Sequence, residues 1–268
     1  QNGCITVTVA SEGTSPSIAD LSGTIFAAAL GYAPVIQSVS ISPAVLPVGA
    51  PVTASVLFSD ADLPNDAHSV TWDWGDDSEV ATGAVADHEY SQPGVYTVTA
   101  TVMDEDGATD STTYQYVVVY DTSAGFVTGG GWIDSPAGAY AADPTLTGKA
   151  TFGFVSQYKK GATVPTGKTE FQFQAGNLNF KSTSYEWLVV AGSKAQFKGV
   201  GTINGQGAYR FFITAIDGDG DGGKKPDKFR IRIWDAVGGG LVYDNQLNAP
   251  DDADPSTVLG GGSIVIHR

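Results

Sequence analysis

Apolar and polar residues alternate with a period of two along most of this 268-residue chain. Tyr96, Val98, Ala100 and Val102 give the clearest case, because their side chains share one face of a strand while the intervening threonines occupy the other. Comparable runs between turn-forming residues predict strands at 37–42, 51–58, 69–74, 84–90, 94–103 and 109–120, and again at 151–158, 169–174, 185–191, 195–203, 208–216, 228–234, 241–244 and 263–267. The pattern predicts an all-β protein of two tandem β-sandwich domains.

The first 35 residues follow a different pattern. Ile5, Val7 and Val9 alternate with threonines and predict a short strand, which a segment rich in glycine, serine and threonine follows. Residues 17–32 carry apolar residues three and four apart and predict a short helix, which two interior glycines weaken by about 1 kcal/mol each. The chain therefore divides into an extended N-terminal segment at 1–35, a first domain at 36–120, a linker at 121–125 and a second domain at 126–268.

The charge balance limits the partners of this chain. It carries 29 acidic and 14 basic residues, for a formal net charge of -15. Nucleic acid and anionic membrane surfaces would be repelled, so cations are the better charged partner. Since no apolar stretch approaches the roughly 20 residues needed to span a bilayer, the sequence predicts no membrane insertion.

Cys4 is the only cysteine, so an intramolecular disulfide is impossible. Two interpretations remain open for it. It is an unpaired thiol in a frayed terminus, or it forms a crosslink to another chain.

An ordered set of motifs lies in the first domain. Trp72-Asp73-Trp74-Gly75-Asp76 is followed by Gly94-Val95-Tyr96 and then by Asp104-Glu105-Asp106-Gly107. This set resembles the polycystic-kidney-disease (PKD) module, over roughly residues 36–120. The resemblance implies an immunoglobulin-like β-sandwich of a secreted or cell-surface protein that holds, spaces or binds and does not catalyse.

The second domain contains an echo of these motifs. Gly207-Ala208-Tyr209 is followed, after seven residues, by Asp217-Gly218-Asp219-Gly220, and Gly94-Val95-Tyr96 has the same spacing to its acidic turn. This arrangement resembles the tyrosine corner of immunoglobulin-like sandwiches. Common ancestry and a generic glycine-turn hairpin both explain it.

Alternating aspartates in the second domain predict a calcium site. Asp217, Asp219 and Asp221 are separated by glycines, and Asp227 follows, so several oxygens can converge on a hard cation. An EF-hand is rejected because Lys228 occupies its twelfth position and the flanking segments are predicted strands. A solvated acidic turn without metal is the alternative.

The first domain contains a second acidic set. Asp60, Asp62 and Asp66 precede the tryptophan strand, and Asp104 and Asp106 follow the long alternating strand. In an immunoglobulin-like topology these loops lie at the same end of the sandwich, where five carboxylates would repel one another. Calcium is the predicted counter-ion, and ordinary turn formation is the alternative.

Catalytic motifs are not found in the sequence. His68, His88 and His267 lack metal-ligand spacing, and neither a G-x-S-x-G elbow nor a phosphate-binding loop occurs. We therefore predict that the chain is not an enzyme. The aromatic residues of the second domain fit core packing or a sugar-binding strip.

Two functions fit these patterns. In the first, the chain is a secreted, calcium-stabilised structural or adhesive protein whose partners are copies of itself or neighbouring surface modules. Its 5–9 strand would pair with another subunit and build a filament, unless residues 1–10 are the last strand of an upstream domain. In the second, which the resemblance to PKD modules implies, the chain is an accessory region of a larger secreted hydrolase, and this region binds polysaccharide.

Overall fold

The computed structural model describes residues 32–61, 67–220 and 225–268, and these form an all-β structure with a 3-10 turn at Gln174–Gly176. The first domain contains β1 (Val35–Ser42), β2 (Val45–Pro47), β3 (Pro51–Ser59), β4 (Ser69–Asp73), β5 (Ala81–Thr82), β6 (Val85–Glu89), β7 (Gly94–Met103) and β8 (Thr109–Tyr120). The second contains β9 (Phe126–Ser135), β10 (Gly148–Gln157), β11 (Thr166–Phe173), β12 (Leu178–Ala191), β13 (Lys194–Ile203), β14 (Gln206–Ile216), β15 (Lys228–Asp235), β16 (Leu241–Asp244) and β17 (Gly261–His267). The expected all-β class with β-sandwich domains is confirmed.

The first domain packs a three-stranded sheet, in the order β1-β3-β6, against a five-stranded sheet, in the order β2-β8-β7-β4-β5. All neighbouring strands are antiparallel except β2 and β8, which are parallel. The alternation of β7 acts as predicted, because Val98, Ala100 and Val102 are buried in the core between the sheets. The Tyr96 hydroxyl donates to the Gln92 carbonyl at 2.9 Å, as a tyrosine corner does.

The second domain is one nine-stranded antiparallel sheet. Strands β9 to β16 follow one another in sequence order, and β17 pairs with the free side of β9. The sheet folds back on itself, because Phe152 of β10 stacks on Phe229 of β15 with ring centroids 4.0 Å apart. Its two halves enclose one core of phenylalanines and branched aliphatic residues, which makes this domain a sandwich.

The consecutive strand order of the second domain differs from the Greek-key order of an immunoglobulin domain. The echo between the domains is nevertheless visible locally. A Cβ atom on Gly94 would lie 2.6 Å from the Tyr96 ring, and one on Gly207 would lie 2.7 Å from the Tyr209 ring. In both places the tyrosine ring covers the glycine two residues before it.

Strand β9 contains the run Gly129-Gly130-Gly131, which lowers its strand propensity. Packing explains two of these glycines. A Cβ atom on Gly129 would overlap the Phe154 ring, and one on Gly131 would overlap the Gly261 carbonyl of β17. The glycines therefore allow β9 to lie at the centre of close contacts on both sides.

Candidate functional sites

The two domains are joined by a hydrophobic contact that we call the docking surface. Its buried members are Val118 of β8 in the first domain, and Trp187, Val189 and Phe212 of β12 and β14 in the second. Each is at most 4% exposed. Partly buried residues of both domains pack around them, namely Val95, Tyr116, Tyr120 and Trp234.

The docking surface has a signal in the sequence that alternation alone misses. Residues 116–120 of β8, 187–191 of β12 and 211–213 of β14 are uninterrupted apolar runs. In β8, Val117 and Val119 face the core of the first domain while Val118 faces the second domain. Uninterrupted runs of this length are typical of strands buried on both faces.

A loop after β16 adds polar contacts beside the docking surface. Arg230 of β15 is buried and makes two hydrogen bonds to the Asp244 carboxylate, at 3.1 and 2.9 Å. The same guanidinium donates to the Ala249 and Pro250 carbonyls and so holds the start of the loop in place.

The loop then reaches the first domain. Asp251 accepts a hydrogen bond from the Tyr116 hydroxyl at 3.0 Å, and Asp252 accepts one from the Thr97 hydroxyl at 2.9 Å. Burial, together with the nearby Asp251 carboxylate, raises the pKa of Tyr116 well above its usual value of 10.0. The Tyr116 hydroxyl therefore stays protonated as a donor. We call residues 244–252, with Arg230, the clamp loop.

The acidic loop of the second domain holds the last strand. Asp227 accepts hydrogen bonds from the backbone N–H groups of Gly218 and Ile264, and Asp217 accepts from those of Asp219 and Ile266. Ile264 and Ile266 belong to β17, so these carboxylates satisfy backbone donors on the side of β17 that faces away from β9.

The predicted calcium ligands of this loop therefore lie in different settings. Asp217 and Asp227 lie together with their oxygens engaged by amides, whereas Asp219 is exposed at the turn. Asp221 lies outside the described residues.

The acidic set of the first domain lies at one end of its sandwich. Asp60 follows β3 and lies 3.0 Å from the His68 Nε2 atom, and both side chains are buried. Because Ser69 pairs with Met103, Asp104 follows β7 at the same end. One oxygen of Asp104 accepts the Ala108 N–H at 2.7 Å, and no donor among the described residues reaches its other oxygen, which is buried.

Asp106 is exposed, and Asp62 and Asp66 lie outside the described residues. Within residues 32–61, 67–220 and 225–268, no three acidic, histidine or cysteine side chains form a group that could hold a metal ion. Asp60 and Asp104 thus lie at the same end of the first sandwich, and metal binding stays a prediction.

The PKD-like motif builds an aromatic stack. Trp72 and Trp74 are both buried, and the Trp74 ring stacks on His88 with centroids 4.8 Å apart. His88 Nε2 lies 2.8 Å from the Asp76 carboxylate. Burial raises the pKa of Asp76, but its hydrogen bonds from Ser78 and His88 together outweigh that effect, so that the pKa lies below the usual 3.8. His88 thus joins the stack to the turn that ends the motif.

The predicted interaction residues of the N-terminal segment, Ile5, Val7, Val9 and Cys4, lie outside the described residues, as does the predicted helix at 17–32 apart from Tyr32. The described residues contain no helix long and apolar enough to cross a membrane.

The aromatic residues of the second domain divide by position. Tyr185, Trp187 and Tyr243 are buried. Trp132 and Trp234 are partly buried and each lies beneath cations, Lys149 in the first case and Lys198 with Arg232 in the second.

Three comparisons relate this chain to known proteins. A family model described as the PKD domain matches residues 32–119. The crystal structure of the PKD1 domain of Vibrio anguillarum Epp is 30% identical, and the match covers 98% of that domain and 33% of this chain with a TM-score of 0.27. A structure of carbohydrate-binding modules from the β-sandwich superfamily, described as promiscuous in specificity, is 19% identical over 88% of this chain and 96% of its own, with a TM-score of 0.30. The search of curated proteins found no match.

Proposed function

We propose a function for this chain, which belongs to the PKD-domain family through residues 32–119. In this proposal it is a non-catalytic extracellular module with a structural or adhesive role. Its task in this proposal is to hold two β-sandwich domains in one fixed arrangement. Surfaces on the two domains are then presented at a constant distance and angle.

The docking surface carries this proposal. Contacts between domains of one chain are usually small and polar, and relative motion is then the default. Here Trp187 and Phe212 are almost fully buried against the first domain, and the clamp loop adds hydrogen bonds to Tyr116 and Thr97. Burial of one such aromatic ring stabilises an arrangement by about 1.5–3 kcal/mol, so separation of the domains has a substantial cost.

Small-angle scattering tests the fixed arrangement. Val118→Glu places a charge in the docking surface, and we expect the radius of gyration to rise while circular dichroism shows that both sandwiches remain folded. Val265→Glu is the matched control, because Val265 is 40% exposed on β17. If Val118→Glu changes neither the radius of gyration nor the thermal midpoint, the docking surface does not hold the domains together.

Calcium stabilisation is a finer part of the proposal, and the first domain supports it better than the second. One buried oxygen of Asp104 has no hydrogen-bond donor among the described residues, which is costly without a counter-charge, whereas Asp217 and Asp227 already accept backbone hydrogen bonds. Saturating calcium at a hundredfold excess over its dissociation constant would stabilise the fold by about 2.7 kcal/mol.

Calorimetry with calcium or chelator measures this effect, with Asp104→Asn compared against Asp217→Asn. We expect the calcium-dependent rise in the thermal midpoint to be lost in Asp104→Asn and retained in Asp217→Asn. A midpoint that calcium does not change removes the calcium proposal and leaves the docking surface unaffected.

Self-assembly by donation of the 5–9 strand is the other finer part. The three-stranded sheet of the first domain has β1 and β6 as its edges among the described strands, and an open edge can accept an added strand.

Polysaccharide binding is the second candidate function, and the outer face of β9, β10 and β11 favours it. Partly buried Trp132 lies on this face beside hydrogen-bonding side chains. Apolar ring surface together with placed polar groups is the usual composition of a ligand site.

A further inference from the structure

A trough floored by glycine crosses the outer face of the second domain. Gly130 of β9 pairs with Gly153 of β10, so two glycines lie side by side in neighbouring strands. Both face outward, because the neighbouring residues Phe152 and Phe154 belong to the core. Ser263 of β17 extends this row on one side, and Glu170 and Lys181 extend it on the other.

Rows of longer side chains border the glycines. On one side the pairing brings Trp132, Thr151 and Gln172 into line, and on the other side it aligns Thr128, Val155 and Lys168. The resulting depression has a volume of about 440 Å³ at β10 and β11. We call Gly130, Gly153 and these two rows the glycine trough.

The space above the trough is open because glycines, which lack a side chain, form its floor. A Cβ atom on Gly153 would meet no atom within 4 Å, so a larger residue could fit there without a clash. Gly153 is therefore not required by packing, unlike Gly129, whose Cβ atom would overlap the Phe154 ring. A side chain at Gly153 would fill the trough.

Lysines outnumber acidic residues around the trough, although the chain as a whole is acidic. Residues 148–183 contain five lysines and one glutamate, although the chain as a whole has a net charge of -15. Lys149 lies 4.7 Å from the centroid of the Trp132 ring and pairs across the strands with Asp134. Lys168 and Glu170 both line the depression. Lys159 and Lys160 are exposed in the connection between β10 and β11.

We propose that the glycine trough binds an acidic polysaccharide, which deepens the second candidate function and rests on it. Lys149 and Lys168 would pair with the carboxylate groups of the sugars. Thr151 and Gln172 would donate to and accept from hydroxyl groups, and the exposed part of Trp132 would contact an apolar sugar face.

The shape of the trough favours a polymer chain over a protein surface. From β17 to β12 the row crosses five strands, which is about 19 Å at a strand spacing of about 4.8 Å. Its centre is floored by peptide groups and lined by both polar and apolar groups, whereas the centre of a protein interface is usually apolar and rich in aromatic residues. An extended ligand matches the length of the row, and an anionic one matches the excess of lysines.

The trough is also free of the first domain. Phe154 of β10 faces Phe197 of β13 across the core with ring centroids 5.2 Å apart. The outer face of β10 therefore lies on the opposite side of the sandwich from the outer face of β13 and β14. The first domain docks on Phe212 of β14 and on the later part of β12, at Trp187 and Val189.

Calorimetric titration of the full chain with polygalacturonate tests the proposal, with dextran as the neutral polysaccharide and polyglutamate as the anionic polypeptide. We expect binding of polygalacturonate that weakens at high salt, and weaker or no binding of the other two.

Gly153→Val should abolish binding by filling the trough, whereas Gly240→Val should leave it unchanged. Gly240 is a suitable control because its Cβ position is also open and lies just before β16 at the other end of the sheet.

The lysines give an independent variant. Lys149→Gln with Lys168→Gln should weaken binding about tenfold, as loss of two partly exposed ion pairs predicts, and Lys225→Gln with Lys228→Gln should not. Thermal midpoints of all variants show whether each one folds.

Three results would overturn the proposal. Wild-type protein that binds no polygalacturonate at low salt excludes this ligand class. Equal binding of polyglutamate, unaffected by Gly153→Val, assigns the face to acidic polymers or proteins in general. Self-association in ultracentrifugation that the double lysine variant abolishes assigns it to a second copy of this acidic chain. Scattering by the Val118→Glu variant depends on none of these results, so a failure here is separable from a failure of the fixed domain arrangement.

Discussion

Trp72 and Trp74 lie two residues apart on and just after β4, and both rings face the core of the first domain with centroids 6.0 Å apart. Two large rings on the same face of a strand need matching space in the core. That space comes from His88 and Tyr90, which pack against Trp74 from the end of β6.

Replacement of either tryptophan should therefore be strongly destabilising. Trp72→Ala and Trp74→Ala each remove a fully buried ring, and the lost burial with the residual cavity should lower the free energy of unfolding by about 3–5 kcal/mol. Urea denaturation followed by circular dichroism measures the change. Val80→Ala is the control, since Val80 is 59% exposed. Wild-type midpoints for both tryptophan variants would contradict the core assignment.

Asp76 should make the first domain sensitive to acid. Its pKa is lower in the folded protein than its usual 3.8, so its stabilising effect is present above the unfolded-state pKa and is lost as the pH falls through the folded-state value. Asp76→Asn should thus be less stable than wild type at pH 7, and the difference should narrow below about pH 4.

Thermal midpoints from pH 7 down to pH 2.5 measure this narrowing. Glu79→Gln is the control, because Glu79 is an exposed acidic residue in the same loop. A stability difference between Asp76→Asn and wild type that stays constant over this range would show that the carboxylate charge has no part in the effect.

The acidic loop of the second domain has partners that its own sequence does not reveal. The spacing of Asp217 and Asp227 indicates oxygens that converge, and the two carboxylates do lie together. Their partners, however, are the backbone N–H groups of β17, which lie far along the chain. Only the folded sheet brings those donors within reach, so the sequence alone could not separate a cation loop from a structural one.

At the level of elements, strand existence followed from period-two alternation, and the exceptions have physical causes. Strand β9 is rich in glycine because Phe154 and β17 approach its backbone closely. In β12 the pairing with β13 shifts between Tyr185 and Trp187, so that Tyr185 and Leu188 both face the core although they are three residues apart. Such register shifts depend on the partner strand and leave no periodic signal.

The clamp loop offers a test at this scale. Arg230→Met leaves the buried Asp244 carboxylate without its partner and frees the carbonyls of Ala249 and Pro250, so we expect a loss of about 3–5 kcal/mol in the free energy of unfolding. Arg210→Met is the control, because the Arg210 pair with Glu186 is partly exposed and should contribute at most about 1 kcal/mol.

Denaturant unfolding compares the two variants, and hydrogen exchange locates the change. Faster exchange should appear in residues 244–252 and at Tyr116 if the loop carries the contact with the first domain. Equal effects of Arg230→Met and Arg210→Met would show that burial of the Arg230 pair adds nothing.

For the whole molecule, the sequence indicated two sandwiches but not how they meet. Alternation predicts a sheet with one solvent-exposed face. Strand β8 differs, because Val118 and Val119 are buried on opposite faces of the sheet. The apolar runs in β8, β12 and β14 indicate strands that are buried on both faces. Which run packs against which depends on the fold of the second sheet, and local patterns carry no information on that.

Donation of the N-terminal strand predicts assembly of the whole molecule. Deletion of residues 1–10 removes the predicted 5–9 strand and should convert any assemblies into monomers, because an accepting sheet edge would lose its added strand. Light scattering on the full chain and the deletion measures this. Ile5→Asp with Val7→Asp is the matched variant, since charges there should prevent strand addition without shortening the chain. Cys4 would lie next to the junction, so reduction should loosen assemblies that oxidation had crosslinked. If the full chain stays monomeric at high concentration with calcium present, strand donation is wrong, and the fixed two-domain module with its glycine trough is then the functional unit.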